Sequence, residues 1–212
     1  MTAINIIKQA DRVHMITDGL TSDGFIVSKV IPLPHLRTVI ACSGTVGAGL
    51  MIAAEACQAD SYDEVKRNIG QIMHHCEAMY PRQMITHTHP DYEIYVAGIS
   101  ETSGSDFYFA VNHKRRRGVQ RYSENSPAGD VLLQPCDPGI AATIFQSWKG
   151  KSPASLDPLA EGPTMIEFQR KFLNHQFPNQ IGGLCLVTTV TRDNIVQTVP
   201  KRWPLHQEWG AA

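Results

Sequence analysis

Short stretches rich in Ile, Val and Thr open the chain and predict β-strands. The predicted strands of this region cover residues 3–8, 13–18, 25–33 and 37–43. A connection of four residues separates the first two, which indicates a hairpin. Pro32 and Pro34 interrupt the pattern between the last two, as proline does at strand boundaries. Four strands are therefore expected before the first helix.

Helical patterns occur in two places further along the chain. The predicted helices cover residues 46–59, 61–80, 140–148 and 164–176. Ser61 with Glu64 three residues later is typical of a capping box at a helix start. The segment 149–163 contains Pro, Gly and Ser and is predicted to be a surface loop.

The remaining segments alternate again and complete the order of elements. Further strands are predicted at residues 92–100, 105–112, 131–134, 184–190 and 194–199. The order is strands, two helices, strands, two helices, strands, and each helix needs a sheet face on which to bury its apolar side. We therefore predict an α+β fold, a four-layer αββα sandwich of two antiparallel sheets. We expect residues 1–212 to form a single domain with a short irregular tail from about residue 200.

Length and charge restrict the classes of function. The chain has 212 residues, of which 42% are hydrophobic, and a formal net charge of -1. Such a balance provides no general attraction to nucleic acid or to an anionic membrane. No apolar run reaches the roughly 20 residues of a membrane span, and no signal-peptide pattern opens the chain. We expect a cytoplasmic protein without a membrane partner.

The five cysteines indicate thiols that are not paired. They are widely spaced, odd in number and contain no C-x-x-C pair, which argues against a disulfide framework or a zinc site. Apolar neighbours predict that Cys42, Cys57 and Cys185 are buried as small hydrophobic residues. No cofactor is predicted.

Four residues near the start of the chain suggest a function. Thr2 directly follows Met1, and Asp18 comes sixteen positions later at the end of the second predicted strand. Lys29 falls on the third predicted strand, and Gly44 follows the fourth. This arrangement, together with the order of elements, resembles the N-terminal nucleophile hydrolases, in particular the proteasome β-subunits and the bacterial proteasome-like peptidases.

The resemblance implies a role for each of these residues. Thr2 would become the first residue of the mature chain, and its freed amine would be the base for its own hydroxyl. Asp18 would orient Lys29 and the nucleophile, and the Lys29 cation would disfavour protonation of the amine by like-charge repulsion. The backbone N–H of Gly44 would stabilise an oxyanion. The implied activity is hydrolysis of a peptide or other amide bond, and the implied assembly is a homo-oligomer.

Two segments depart from the family pattern. A serine-rich turn is replaced by Cys136-Asp137-Pro138-Gly139, and an Asp-x-x-Ser-Gly-Gly stretch is replaced by residues 178–183, which keep only Gly182 and Gly183. Either Asp137 or another polar group substitutes for the missing residues, or the chain keeps the fold without the activity. The alternative function is therefore a non-catalytic structural or assembly subunit.

Three other features are interpreted more simply. The histidines at 87 and 89 with Asp91, and the nearby residues 74–76, could bind a metal, but we interpret the histidines of the loop as solvated, and no metal site is predicted. The basic run 114–117 is typical of an exposed turn, so nucleic acid is not expected as a partner. Trp203 and Trp209 in the tail are expected to pack across a subunit boundary.

Overall fold

Nine strands and four α-helices form the regular structure of the residues that the computed structural model describes. These are residues 2–79, 91–135, 137–176 and 181–204, with the backbone alone for 174–176. The strands are β1 Ile4–Lys8, β2 Val13–Asp18, β3 Val30–Leu33, β4 Thr38–Ser43, β5 Glu93–Ser100, β6 Gly104–Val111, β7 Val131–Gln134, β8 Leu184–Val190 and β9 Ile195–Arg202. The helices are α1 Val46–Ala56, α2 Tyr62–Met79, α3 Pro138–Ser147 and α4 Pro158–Gln176.

The strands form two antiparallel sheets. One sheet has five strands in the order β7-β1-β2-β8-β9, and the other has four in the order β3-β4-β5-β6. In the first, Ile4 pairs with Thr17 of β2 and with Gln134 of β7. In the second, Ser43 at the end of β4 pairs with Glu93 at the start of β5.

Three apolar clusters fill the spaces between the layers. One lies between the four-stranded sheet and helices α1 and α2, and it includes Ile40. The second lies between the two sheets and includes Met15 and Val39. The third lies between the five-stranded sheet and helices α3 and α4, and it includes Ile16 and Ile166. Neighbouring strand residues thus enter different clusters, as the two-residue period of a strand requires, and the predicted αββα sandwich is confirmed.

The boundaries of three predicted elements are wrong. Strand β3 begins only at Val30, so Lys29 lies just before the strand and not on it. Helix α4 begins at Pro158 and contains Pro163, so the predicted surface loop is shorter. Asp157 explains this start, because its carboxylate accepts the backbone N–H of Leu159 at 3.0 Å as an N-cap residue does.

The C-terminal tail also differs from the prediction. Strand β9 continues to Arg202, so the irregular tail begins later than residue 200. Trp203 is buried within the third apolar cluster of its own chain, and the prediction that it packs across a subunit boundary is wrong for this side chain. Trp209 lies outside the described residues.

Four of the five cysteines can be located. Cys42 and Cys185 are buried as predicted, and Cys76 is buried as well. Cys57 is exposed, because it occupies the C-cap position of α1, beyond the face of the helix that packs on the sheet. Cys136 lies outside the described residues. Among the described helices, none has the length and apolar character needed to cross a membrane.

A reciprocal pair of amides fixes α4 against the strand that carries the chain start. The side-chain amides of Asn5 and Gln169 donate to each other at 2.8 Å in both directions, and both residues are fully buried. Gln169 also donates to the backbone carbonyl of Gln134 on β7, at 3.2 Å. The pair satisfies polar groups that would otherwise be costly to bury.

We expect Gln169→Leu to lower the free energy of unfolding by about 2 kcal/mol, because the Asn5 amide is left buried without its partner. Urea denaturation measures the change. The double variant Asn5→Leu/Gln169→Leu is the control, since removing both partners costs less than orphaning one. A double variant less stable than Gln169→Leu would contradict this account.

His14 is a buried titratable residue at the opposite end of β2 from Asp18. Its Nδ1 lies 2.9 Å from Thr189 Oγ1, and its Nε2 lies 3.2 Å from Gln9 Oε1. Burial, with a smaller effect of the Arg12 charge, lowers the pKa of His14 to about 4. The folded protein therefore holds this imidazole neutral at pH values where the unfolded chain protonates it.

We expect His14 to make the protein less stable as the pH falls from about 6.5 to about 4, since only the unfolded chain binds the proton in that window. At pH 5 the loss of unfolding free energy relative to pH 7 amounts to about 2 kcal/mol from this residue. Urea denaturation at the two pH values should show this loss of unfolding free energy in the wild type. In His14→Gln the loss should be smaller by about 2 kcal/mol, the contribution of His14. Equal pH dependence in the two proteins would refute the assignment.

Candidate functional site

Three buried polar residues meet at one edge of the space between the sheets. Lys29 Nζ lies 2.9 Å from Asp18 Oδ1 and donates to Thr2 Oγ1 at 3.4 Å. Thr2 is 9% exposed, Asp18 0% and Lys29 7%. The structure thus places together three of the four residues that the sequence singled out.

The pairing of β1 with β2 explains how Asp18 comes to lie beside the chain start. Because Ile4 pairs with Thr17 in the antiparallel register, the next residue of β2 lies next to Ala3. The backbone N–H of Ala3 donates to Asp18 Oδ1 at 3.0 Å, and the Asp18 N–H donates to the Ala3 carbonyl at 3.3 Å. Lys29 reaches the same point from the segment that leads into β3 of the other sheet.

The second oxygen of Asp18 is bound by two further backbone groups. Oδ2 accepts the N–H of Leu20 at 3.1 Å and the N–H of Gly182 at 3.2 Å. Gly183 leads the chain from there into β8 with a φ of 74°. Residues that carry a side chain rarely adopt this backbone conformation. The sequence indicated both glycines as part of the family pattern, but the contact of Gly182 with Asp18 is visible only in the structure.

The ionisation of Asp18 depends on these donors. Burial has the largest effect and raises the pKa of Asp18 above its ordinary value, although the Lys29 ammonium and the backbone N–H groups of Ala3 and Gly182 act to lower it. Without the cation, burial would act with less opposition and favour the neutral acid. Lys29 is therefore the cation that opposes protonation of Asp18 most strongly.

Gly44 lies on a different element from the other three. It follows β4 and precedes Thr45, the N-cap residue of α1, and has a φ of 114°. A Cβ at this position would come within 2.7 Å of the Asp91 carbonyl oxygen, so glycine is required. Within the described residues, no hydrogen bond joins Gly44 to Thr2, Asp18 or Lys29.

A small pocket of about 30 Å³ adjoins Lys29. It lies between the segment 28–31 and the first turns of α1, and its wall includes Lys29, Cys42 and Leu50. Burial raises the pKa of the Cys42 thiol to about 12. Cys42 is therefore a protonated thiol that contributes to the pocket wall and not a nucleophile.

The departures from the family pattern can be followed in part. Asp137 caps α3, since its Oδ1 accepts the backbone N–H of Gly139 at 2.7 Å. Residues 178–180 and 136 lie outside the described part of the chain. The carboxylate of Asp137 is thus engaged by a helix end.

The metal hypothesis receives no support from the residues that can be located. His87 and His89 lie outside the described ranges, and Asp91 forms an ion pair with Arg115 at 2.6 Å. His74 stacks on the Tyr122 ring, with the ring centres 3.8 Å apart. In the part of the chain that is described, no group of three or more metal-binding side chains occurs.

Comparison with known proteins gives a similar fold. No protein-family model and no curated protein sequence matches the chain. Among solved structures, the Anbu protein of Hyphomicrobium sp. strain MC1, in its Gly-1 mutant, superposes with a TM-score of 0.64. The match covers 94% of this chain and 88% of that one, at 9% sequence identity. The two chains share a fold.

We expect Lys29→Met to lower the free energy of unfolding by about 3 kcal/mol, because Asp18 is then buried without its cation and must either stay charged or take up a proton. Chemical denaturation at neutral pH measures the loss. Adding Asp18→Asn to this variant removes the unpaired charge, so the two changes should cost less together than the sum of the single variants. A Lys29→Met protein within about 0.5 kcal/mol of the wild type would show that the pair is not needed for stability.

Proposed function

We propose that this chain is an N-terminal threonine hydrolase that cleaves peptide or other amide bonds. The observation that carries the proposal is the contact of Lys29 with both Asp18 and the Thr2 hydroxyl, in a buried setting. The Anbu-like fold is consistent with it. The proposal requires that Met1 is removed, which the small side chain of Thr2 permits.

Thr2 is proposed as the nucleophile. Its Oγ would attack the carbonyl carbon of the amide and form a tetrahedral intermediate. The hydroxyl proton would pass to the Thr2 amine and then to the leaving nitrogen, giving an ester between Thr2 and the acyl part of the substrate. Water activated by the same amine would hydrolyse the ester and restore the hydroxyl.

The surrounding groups support the amine as the base by exclusion. Lys29 donates to Thr2 Oγ1 and is paired with Asp18, so as an ammonium it has no free lone pair for the hydroxyl proton. Both Asp18 oxygens already accept backbone N–H groups. A positive charge near the amine would help to keep it neutral and able to accept the proton.

The start of α1 is proposed to stabilise the oxyanion. Gly44 immediately precedes Thr45, whose side chain makes no capping hydrogen bond. The first N–H groups of a helix have no partners within the helix, and they favour negative charge. The first turns of α1 also form one wall of the pocket beside Lys29, so an oxyanion here would lie close to the nucleophile.

One observation favours the alternative of a non-catalytic assembly subunit. The carboxylate of Asp137, the residue that could replace the missing acid of the family, is engaged in capping α3. If no other acid substitutes for it, the site lacks a group that normally assists the threonine. This alternative predicts that Met1 is retained and that Thr2 does not react with electrophiles directed at threonine.

We expect Thr2→Ala to abolish amide hydrolysis, with a loss of at least about 10³-fold in kcat, because the nucleophile is absent. Thr2→Ser is the matched control, since it keeps the hydroxyl and should retain measurable turnover. Thermal unfolding of both variants should resemble the wild type, which shows that the loss is chemical. Activity in Thr2→Ala would exclude Thr2 as the nucleophile.

The intact mass of the purified protein tests the same proposal independently. A mass lacking Met1, together with a single covalent adduct at Thr2 after treatment with a threonine-directed electrophile, is the expected result. Retained Met1 and no adduct would establish the alternative.

A further inference from the structure

The basic run 114–117 lies at the same edge of the sheets as the candidate site. Val111 at the end of β6 pairs with Glu93 at the start of β5, and Glu93 pairs with Ser43 at the end of β4. Gly44 follows directly. The chain therefore leaves β6 at the sheet edge where the proposed oxyanion site is located.

Arg116 ties this segment to both sheets. Its Nε lies 3.4 Å from Glu93 Oε1 on the four-stranded sheet, and its guanidinium donates to the side-chain carbonyl of Gln134 on the five-stranded sheet. Gln134 pairs with Ile4, two residues from Thr2. Arg116 thus holds residues 113–117 across the gap between the sheets, close to the start of β1.

The acids at this edge are already matched by other cations. Glu93 contacts His113 at 3.3 Å as well as Arg116, and Asp91 pairs with Arg115. Lys114 and Arg117 are exposed, and within the described ranges neither forms an ion pair. We call Lys114 and Arg117 the basic rim. Its two positive charges remain available to a ligand.

We propose that the basic rim selects substrates that carry carboxylate groups close to the bond that is cleaved. This inference rests on the proposed hydrolase function, and it adds the substrate class. The basic rim would repel positively charged substrates, whereas it would attract and bind acidic peptides. Lys114 and Arg117 are exposed, as the prediction of an exposed turn requires. Because they follow β6 at the same end of the sheets as the candidate site, a substrate bound there could interact with them.

Two peptide libraries test the inference. They are identical except that one contains Glu, and the other Gln, next to the randomised positions. Cleavage is followed by mass spectrometry at low and at high salt. We expect wild-type protein to cleave the Glu library about five-fold faster at low salt, and the preference to shrink at high salt, because exposed charges are screened.

Arg117→Glu should abolish or reverse the preference for the Glu library. The matched control is Arg192→Glu, an exposed arginine in the turn after β8. Because Val190 at the end of β8 pairs with Val13 at the start of β2, this turn lies at the opposite end of the sheet, and the preference should be unchanged.

The outcomes separate the two proposals. Equal cleavage of both libraries by the wild type, or an unchanged preference in Arg117→Glu, would overturn the basic rim and leave the hydrolase proposal intact. Absence of cleavage of either library, with no adduct at Thr2, would overturn the hydrolase proposal and the substrate class with it.

Discussion

The buried ion pair of Lys29 and Asp18 joins the two sheets at the edge where the chain begins. Asp18 ends a strand of the five-stranded sheet, and Lys29 leads into the first strand of the four-stranded sheet. Burying either charge alone would cost several kcal/mol. Pairing the two charges avoids that cost where the sheets meet, and the same ammonium also donates to the Thr2 hydroxyl.

The middle of the space between the sheets and its edge near Thr2 are built from different kinds of contact. In the middle, side chains such as Ile6, Met15 and Val39 belong to a buried apolar cluster. At the edge near Thr2, ionic and amide contacts replace this packing, among them the link from Arg116 to Gln134. Polar contacts need defined geometry, whereas apolar packing tolerates variation. An edge of this kind can hold reacting groups in fixed positions.

The sequence predicted the layers because alternation and helical periodicity are local signals. It placed Thr2, Asp18 and Lys29 through their order along the chain, and these side chains do meet, although their catalytic roles remain predictions. It could not show that Gly182 binds Asp18, since that contact joins residues 164 positions apart. It also missed the early start of α4, because Pro163 is a usual signal against a helix interior, yet it lies within the first turns here.

Among the described residues around Thr2, the contacts leave one kind of base for the proposed reaction. The Thr2 hydroxyl accepts a hydrogen bond from Lys29, so its own proton must point elsewhere. Asp18 is held by backbone donors, and the buried Cys42 is a protonated thiol in the wall of the pocket. A base that belongs to Thr2 itself can reach the free side of this hydroxyl without competing for any of these contacts. The chemistry would thus depend on removal of Met1, which converts a backbone amide into an amine.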